Sequence, residues 1–181
     1  TQRFYQLASM PPIDENLLNK DGQLLSVSKV IEAYSDGFIV LPEYYSFGEK
    51  IDQDLKQVSR EKILRVANDI YYTRFMEMFA KGKSNFALIY PASIYLSYGD
   101  KIPVEVRSYS IAGNPSHVSG HVICPKTPQG AKHIASINAA IKRMYSKAEF
   151  IAAHTRYLPE QDRQNLKAFI KKTVRELMLG E

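Results

Sequence analysis

A chain of 181 residues, 45% hydrophobic and 24% charged, can bury a sizeable core, which excludes global disorder, and it holds no apolar run of 18 residues that would span a membrane. One cysteine, Cys124, excludes an internal disulfide framework. The net charge of +5 resides in residues 132–181, with ten basic and five acidic side chains, while residues 1–131 balance at 14 and 14, so a nucleic-acid partner would have to use the C-terminal part alone.

In chain order, Thr1–Met10 lacks the layout of a signal peptide. Leu24–Tyr34 reads as a helix capped by Ser26 and stopped by Gly37. Phe38-Ile39-Val40-Leu41 is a short apolar run ending at Pro42, the pattern of a strand buried on both faces. Tyr44-Tyr45-Ser46-Phe47-Gly48-Glu49 follows, then Ile51, Leu55 and Val58 at helical spacing, and Ser46 with Glu49 predicts a capping box. Ile63–Val66 is a further strand. Asn68 and Asp69 are N-cap candidates for a helix through Phe75, Met76 and Phe79, ended by Gly82.

Phe86–Tyr90 is another buried strand, Pro91 suits the first turn of a helix to about Ser97, and Val104–Tyr109 is a fourth strand-like segment. This alternation predicts an α/β fold: a lobe with a mainly parallel sheet and flanking helices over residues 1–110. Residues 111–181 read as a partial second lobe. There Ala112-Gly113-Asn114-Pro115 breaks the chain, Val118–Cys124 is a strand, and two helices close the sequence. Their apolar stripes are Ile134, Ile137, Ile141 and Met144 in one, and Leu166, Phe169, Ile170, Val174 and Leu177 in the other. Basic residues such as Lys142, Arg143, Lys147 and Lys171 fall between these positions, as on a solvated face.

No metal site or cofactor is expected. His117, His121 and Cys124 are too far apart along a strand to share one ion, and His133 and His154 fall on helix surfaces. No nucleophile elbow, phosphate loop or dinucleotide fingerprint occurs, so the chain does not read as an enzyme. Glu49, Asp52 and Asp54, beside Lys50 and Lys56, read as solvated helix carboxylates. The chemistry-bearing feature is Tyr44–Gly48, between a buried strand and a helix start, where α/β sheets bind ligands. Tyr90, at the carboxyl end of its strand, would face the same crevice and offers a ring face and a donor.

Taken together, Leu24-Leu25-Ser26, Gly37–Val40, Ser46-Phe47-Gly48, Met78–Ala87, the strand His121–Cys124, the helix Ile134–Met144 and Tyr157-Leu158-Pro159 resemble the second half of a bacterial extracellular solute-binding protein of family 3. Ile89-Tyr90-Pro91 and Cys124–Thr127 are similar to a branch without assigned ligands. The resemblance implies the type II periplasmic-binding fold, two lobes joined by hinge strands with ligand trapped between them, and a periplasmic location. It also implies that this chain lacks the first lobe's opening half, as a fragment or a reduced variant. Ser46 matches the family's small hydroxyl residue that receives a ligand carboxylate. Where amino-acid binders place an aspartate, this chain has Asn85 and Tyr90, which points away from an α-amino acid.

The expected function is non-catalytic capture of a small polar or aromatic anionic solute by Tyr45, Ser46, Phe47, Asn85 and Tyr90, for an inner-membrane permease or a sensor. The rivals are an α/β enzyme acting on a small carboxylate and a nucleic-acid-binding protein using the basic C-terminal helices. The unpartnered stripes of residues 111–181 predict either an exposed apolar patch or a homodimer that covers it.

Overall fold

The computed structural model describes residues 2–99, 101–115, 120–145, 147–158 and 160–179. Its sheet has five strands, Arg3–Leu7 (β1), Ile39–Pro42 (β2), Ile63–Val66 (β3), Phe86–Ile89 (β4) and Val106–Tyr109 (β5), in the order β3-β2-β4-β1-β5. β2 pairs in parallel with both β3 and β4, whereas β1 runs antiparallel between β4 and β5. Four strands therefore point one way and β1 alone the other. The fold is α/β with a mostly parallel, open sheet.

Side-chain alternation explains why the central strands are apolar throughout. On β2, Ile39 and Leu41 face one layer and Val40 the other; on β4, Phe86 and Leu88 face the first layer and Ala87 and Ile89 the second. The first layer is closed by the helices Val27–Ala33 (α1) and Glu49–Leu55 (α2) through Val27, Val30, Ile31, Ile51 and Leu55. The second is closed by Asn68–Ala80 (α3) and Pro91–Tyr98 (α4) through Tyr71, Phe75, Met76, Phe79 and Ile94. Each such side chain, fully buried, contributes about 1.5–3 kcal/mol relative to exposure, so both faces of the sheet need their helices.

β1 was not foreseen, because Arg3-Phe4-Tyr5-Gln6-Leu7 mixes polar and aromatic residues without a clean period. Its middle residues are nevertheless buried. Gln6, with no solvent exposure, donates from Nε2 to Pro11 O at 2.9 Å and Tyr34 Oη at 3.2 Å, while its buried Oε1 has no partner among the described residues.

Local signals are realised unevenly. Ser26 caps α1, accepting from Lys29 N at 3.2 Å, and Pro91 stands in the first turn of α4. Gly82 follows α3 with φ +64°, a left-handed conformation that glycine adopts without a Cβ clash. Gly37 acts differently from the expected helix stop: its φ is not left-handed, but a Cβ there would lie 2.7 Å from the Phe86 ring and 2.8 Å from Tyr34 Cβ. Glycine is required by close packing. At the start of α3 the cap is Ala67 rather than Asn68 or Asp69, and it makes no side-chain cap bond.

The chain divides into two compact units, Thr1–Ser116 and His117–Glu181. Ile111, read from the sequence as the start of the second lobe, packs in the first unit's core and bridges to Leu24. In the second unit the expected strand Val118–Cys124 is absent over residues 120–124, and residues 118 and 119 lie outside the described set. Among its described residues three helices are present rather than two: Pro128–Tyr145 (α5), Ala148–Thr155 (α6) and Glu160–Leu179 (α7). Among its described residues only one large apolar side chain, Ile170, is buried, while Ile123 is 90% exposed. Ile134, Ile137 and Ile141 are half-buried, Met144 is exposed, and the Leu177 side chain lies outside the described set. Lys142, Arg143, Lys147 and Lys171 are exposed. No helix among the described residues is long and apolar enough to cross a membrane.

Candidate functional site

The connections leaving the sheet part to opposite faces. β2 sends its chain to α2 on one face, while its neighbours β3 and β4 send theirs to α3 and α4 on the other. Adjacent strands whose outgoing connections part to opposite faces leave a gap beyond their carboxyl ends, the usual ligand position in an open α/β sheet. Tyr45 follows β2 and Tyr90 follows β4, so the two phenols meet at this point: Tyr45 Oη donates to Tyr90 Oη at 3.3 Å.

Two residues that sequence reasoning did not single out complete the cluster. Gln2, nearly buried and one residue ahead of β1, donates from Nε2 to Tyr90 Oη at 2.7 Å. Tyr72, in the second turn of α3, sets its ring edge-on to Tyr45 with centroids 6.2 Å apart. The only available signal for Tyr72 was its place in a helix that begins just past a strand end; for Gln2 there was none, because β1 itself was hidden. Arg3, opposite Ile89 in the β1–β4 register, turns its guanidinium to β5 and donates to Ser108 O at 3.3 Å.

Burial sets the protonation of these phenols. Partial burial, reinforced by the Tyr45 hydroxyl beside it, pushes the Tyr90 pKa up to about 12, against a smaller lowering by Gln2. Burial and the same Tyr45 hydroxyl raise that of Tyr72 further. Both stay neutral at physiological pH and offer a donor, an acceptor and a ring face.

Next to this cluster stands Tyr44, fully exposed and with φ +50°, a region that a non-glycine residue with a bulky side chain rarely occupies. Neither packing nor backbone preference accounts for a tyrosine there.

Of the predicted site residues, Tyr45 and Tyr90 are hydrogen-bonded, the Phe47 ring packs edge-on against Tyr45 with centroids 5.1 Å apart, and Ser46 and Asn85 are turned to other partners. The Ser46 hydroxyl forms no capping box with Glu49; it donates to the Asp52 carboxylate and accepts from Gly48 N at 3.2 Å, while Gly48 is the uncapped N-cap residue of α2. The Asp52 carboxylate also accepts from Phe47 N at 2.9 Å and so occupies the place where a ligand anion was expected. Phe47 is buried in the α1–α2 layer. Asn85 lies at the opposite, amino end of β4, where its side chain accepts from Phe38 N at 3.2 Å and bridges to the start of β2.

Asp52 and Asp54 are not the solvated helix carboxylates that their spacing suggested. Asp54 accepts from both Ser26 and Ser28 and from two backbone N–H groups at the start of α1. His133 and His154 are exposed on α5 and α6, close to Gln129 and to Phe150 O, each at 2.8 Å. His117 lies outside the described residues, and among the described residues no group of three or more His, Cys, Asp or Glu could hold a metal.

No known protein family, no curated protein and no solved structure matches this chain.

Proposed function

We propose that this chain is a non-catalytic solute-binding protein that captures a small polar or aromatic, anionic molecule at the carboxyl edge of its sheet, acting in the periplasm for a permease or a sensor. The observation that carries the reading is the convergence of Tyr45, Tyr72 and Tyr90 with Gln2 at the point where the chain parts to opposite faces of the sheet. Neutral phenols and an amide recognise polar groups by hydrogen bonds and rings by stacking. A fully exposed, conformationally strained Tyr44 beside them is accounted for if it closes over a ligand.

The strand pair β1 and β5 adds support. The chain enters the sheet on β1 and leaves it on β5, side by side and antiparallel, the arrangement a two-stranded link to a neighbouring lobe requires.

The test is a thermal-shift screen of the full chain against carboxylates, aromatic acids, amino acids and sugars, because a ligand that binds only the folded state raises the melting temperature. A hit whose shift is lost in Tyr90→Phe supports the proposal. A hit unaffected by Tyr90→Phe, or the absence of any hit across all four classes, counts against it.

A further inference from the structure

Beside the edge strand β3 lies a concavity of about 380 Å³ whose lining includes Tyr45 but not Tyr90. Phe47, Leu55 and Val58 form its apolar floor, Ile63 its strand side, and the Tyr45 ring one wall. Around the mouth stand Lys56, Arg60 and Arg65, with Asp52 as the one acidic member of the lining.

The four charges are not equivalent. Asp52 is taken up by Ser46 and Phe47 N, as described above, and Lys56 donates to Gln53 Oε1 at 3.2 Å. Arg65 is steered by one bond, from Nη1 to Pro42 O at 3.1 Å, which leaves the rest of its fork for another acceptor. The Arg60 guanidinium has no hydrogen bond or ion pair among the described residues. Its neighbour Lys62 shows what a structural cation looks like in this segment: it donates to Tyr34 O at 2.8 Å and Ile31 O at 3.3 Å at the end of α1, and pairs with Glu32 at 3.4 Å.

We infer that this lateral cleft is a binding site for an amphipathic carboxylate: a small apolar body seated on Phe47, Leu55 and Val58 with its carboxylate held by Arg60 and Arg65. Charge complementarity selects the sign of the ligand, since three cations face one already satisfied carboxylate. The apolar floor rejects a bare inorganic anion, which would leave that surface uncovered. The volume lies near the lower bound of small-molecule pockets, about 300 Å³, which suits an arylacetate or a branched short-chain acid. The site does not rest on the crevice proposed above; the two share only Tyr45, whose ring lines one and whose hydroxyl enters the other.

The experiment is an NMR titration of the full chain with phenylacetate, with 2-phenylethanol and inorganic phosphate as comparison ligands, repeated on Arg60→Gln, Arg65→Gln and Tyr90→Phe. The expected result is a phenylacetate dissociation constant of about 1 mM or below, weakened about threefold to tenfold in Arg60→Gln and in Arg65→Gln and unchanged in Tyr90→Phe. Arg60 has no partner to lose, so that variant keeps its fold. Equal affinity for 2-phenylethanol would remove the carboxylate from the argument, and equal affinity for phosphate would remove the apolar floor. Loss of binding in Tyr90→Phe but not in Arg60→Gln would assign phenylacetate to the crevice, and no saturable binding at all would overturn the lateral site while leaving the crevice reading intact.

Discussion

Replacing Asp54 by alanine removes an acceptor that ties α2, and with it the end of the Tyr44–Phe47 loop, to the start of α1. Its Oδ1 accepts from Ser26 Oγ at 2.8 Å and Ser28 Oγ at 2.5 Å, and its Oδ2 from Val27 N at 2.6 Å and Ser28 N at 3.3 Å. Val27 and Ser28 are buried, so their N–H groups do not regain water when the carboxylate goes. A hydrogen bond to a charged group is worth about 1.5–3 kcal/mol, and an orphaned buried donor costs about 1–3 kcal/mol. One half-buried carboxylate serves all four bonds, which therefore do not add, and the expected loss for Asp54→Ala is about 3 kcal/mol. Asp54→Asn keeps one good acceptor and should lose about half as much. Urea unfolding followed by circular dichroism measures both, as a lower midpoint at unchanged slope. For comparison, Asp52→Ala, which loses an exposed hydroxyl and the single N–H of buried Phe47, should cost less, about 1–2 kcal/mol. Asp54→Ala within about 0.5 kcal/mol of the parent, or no worse than Asp52→Ala, would refute the view that this carboxylate fixes the position of α2.

Gly37→Ala should destabilise by about 1–3 kcal/mol in the same assay, because its Cβ would sit 2.7 Å from the buried Phe86 ring; a neutral result would mean that the ring yields freely. Tyr44→Gly should gain up to about 1 kcal/mol by relieving the positive φ of a fully exposed residue, and should weaken binding of whatever ligand the screen yields. Stabilisation without loss of binding would leave Tyr44 unexplained. In an alkaline spectrophotometric titration of the 12 tyrosines, Tyr71, Tyr72 and Tyr90 should ionise after the exposed ones, since burial raises all three. The sign follows from proton binding: between pH 10 and about 12 the unfolded chain has released the Tyr90 proton and the folded chain has not, so this stabilising contribution is complete below pH 10 and is lost as pH rises through about 12. Twelve phenols titrating together in the native protein would contradict the placement of these three.

The sheet was largely legible because β2 and β4 are apolar at every position, a pattern that arises when both faces are covered, and because Pro91, Ser26 and Gly82 punctuate the helices between them. β1 was not, since its burial comes from strands more than 80 residues away, Ile89 and Tyr109 among them, and a polar Gln6 is held there by tertiary hydrogen bonds from its Nε2. α6 is a single short helix whose Phe150 packs against its own His154 and against Tyr145, local contacts that no long stripe advertises.

At the candidate site, position relative to a strand end was enough to find Tyr45 and Tyr90. Ser46 and Asn85 were misplaced for a common reason. A polar residue beside a helix start or a strand can serve the backbone as well as a ligand, and here Asp52 competes for Ser46 and Phe38 N claims Asn85.

The central claim is that Tyr45, Tyr72 and Tyr90 form one ligand crevice. It is tested most directly by titrating a tyrosine-labelled sample with the strongest screening hit and following the ring resonances, assigned through the three Tyr→Phe variants. The account predicts that these three move together at a single dissociation constant, while buried Tyr71, whose hydroxyl is committed to Leu88 O, stays in place. A ligand that binds with a common constant but leaves Tyr45, Tyr72 and Tyr90 unmoved would contradict it.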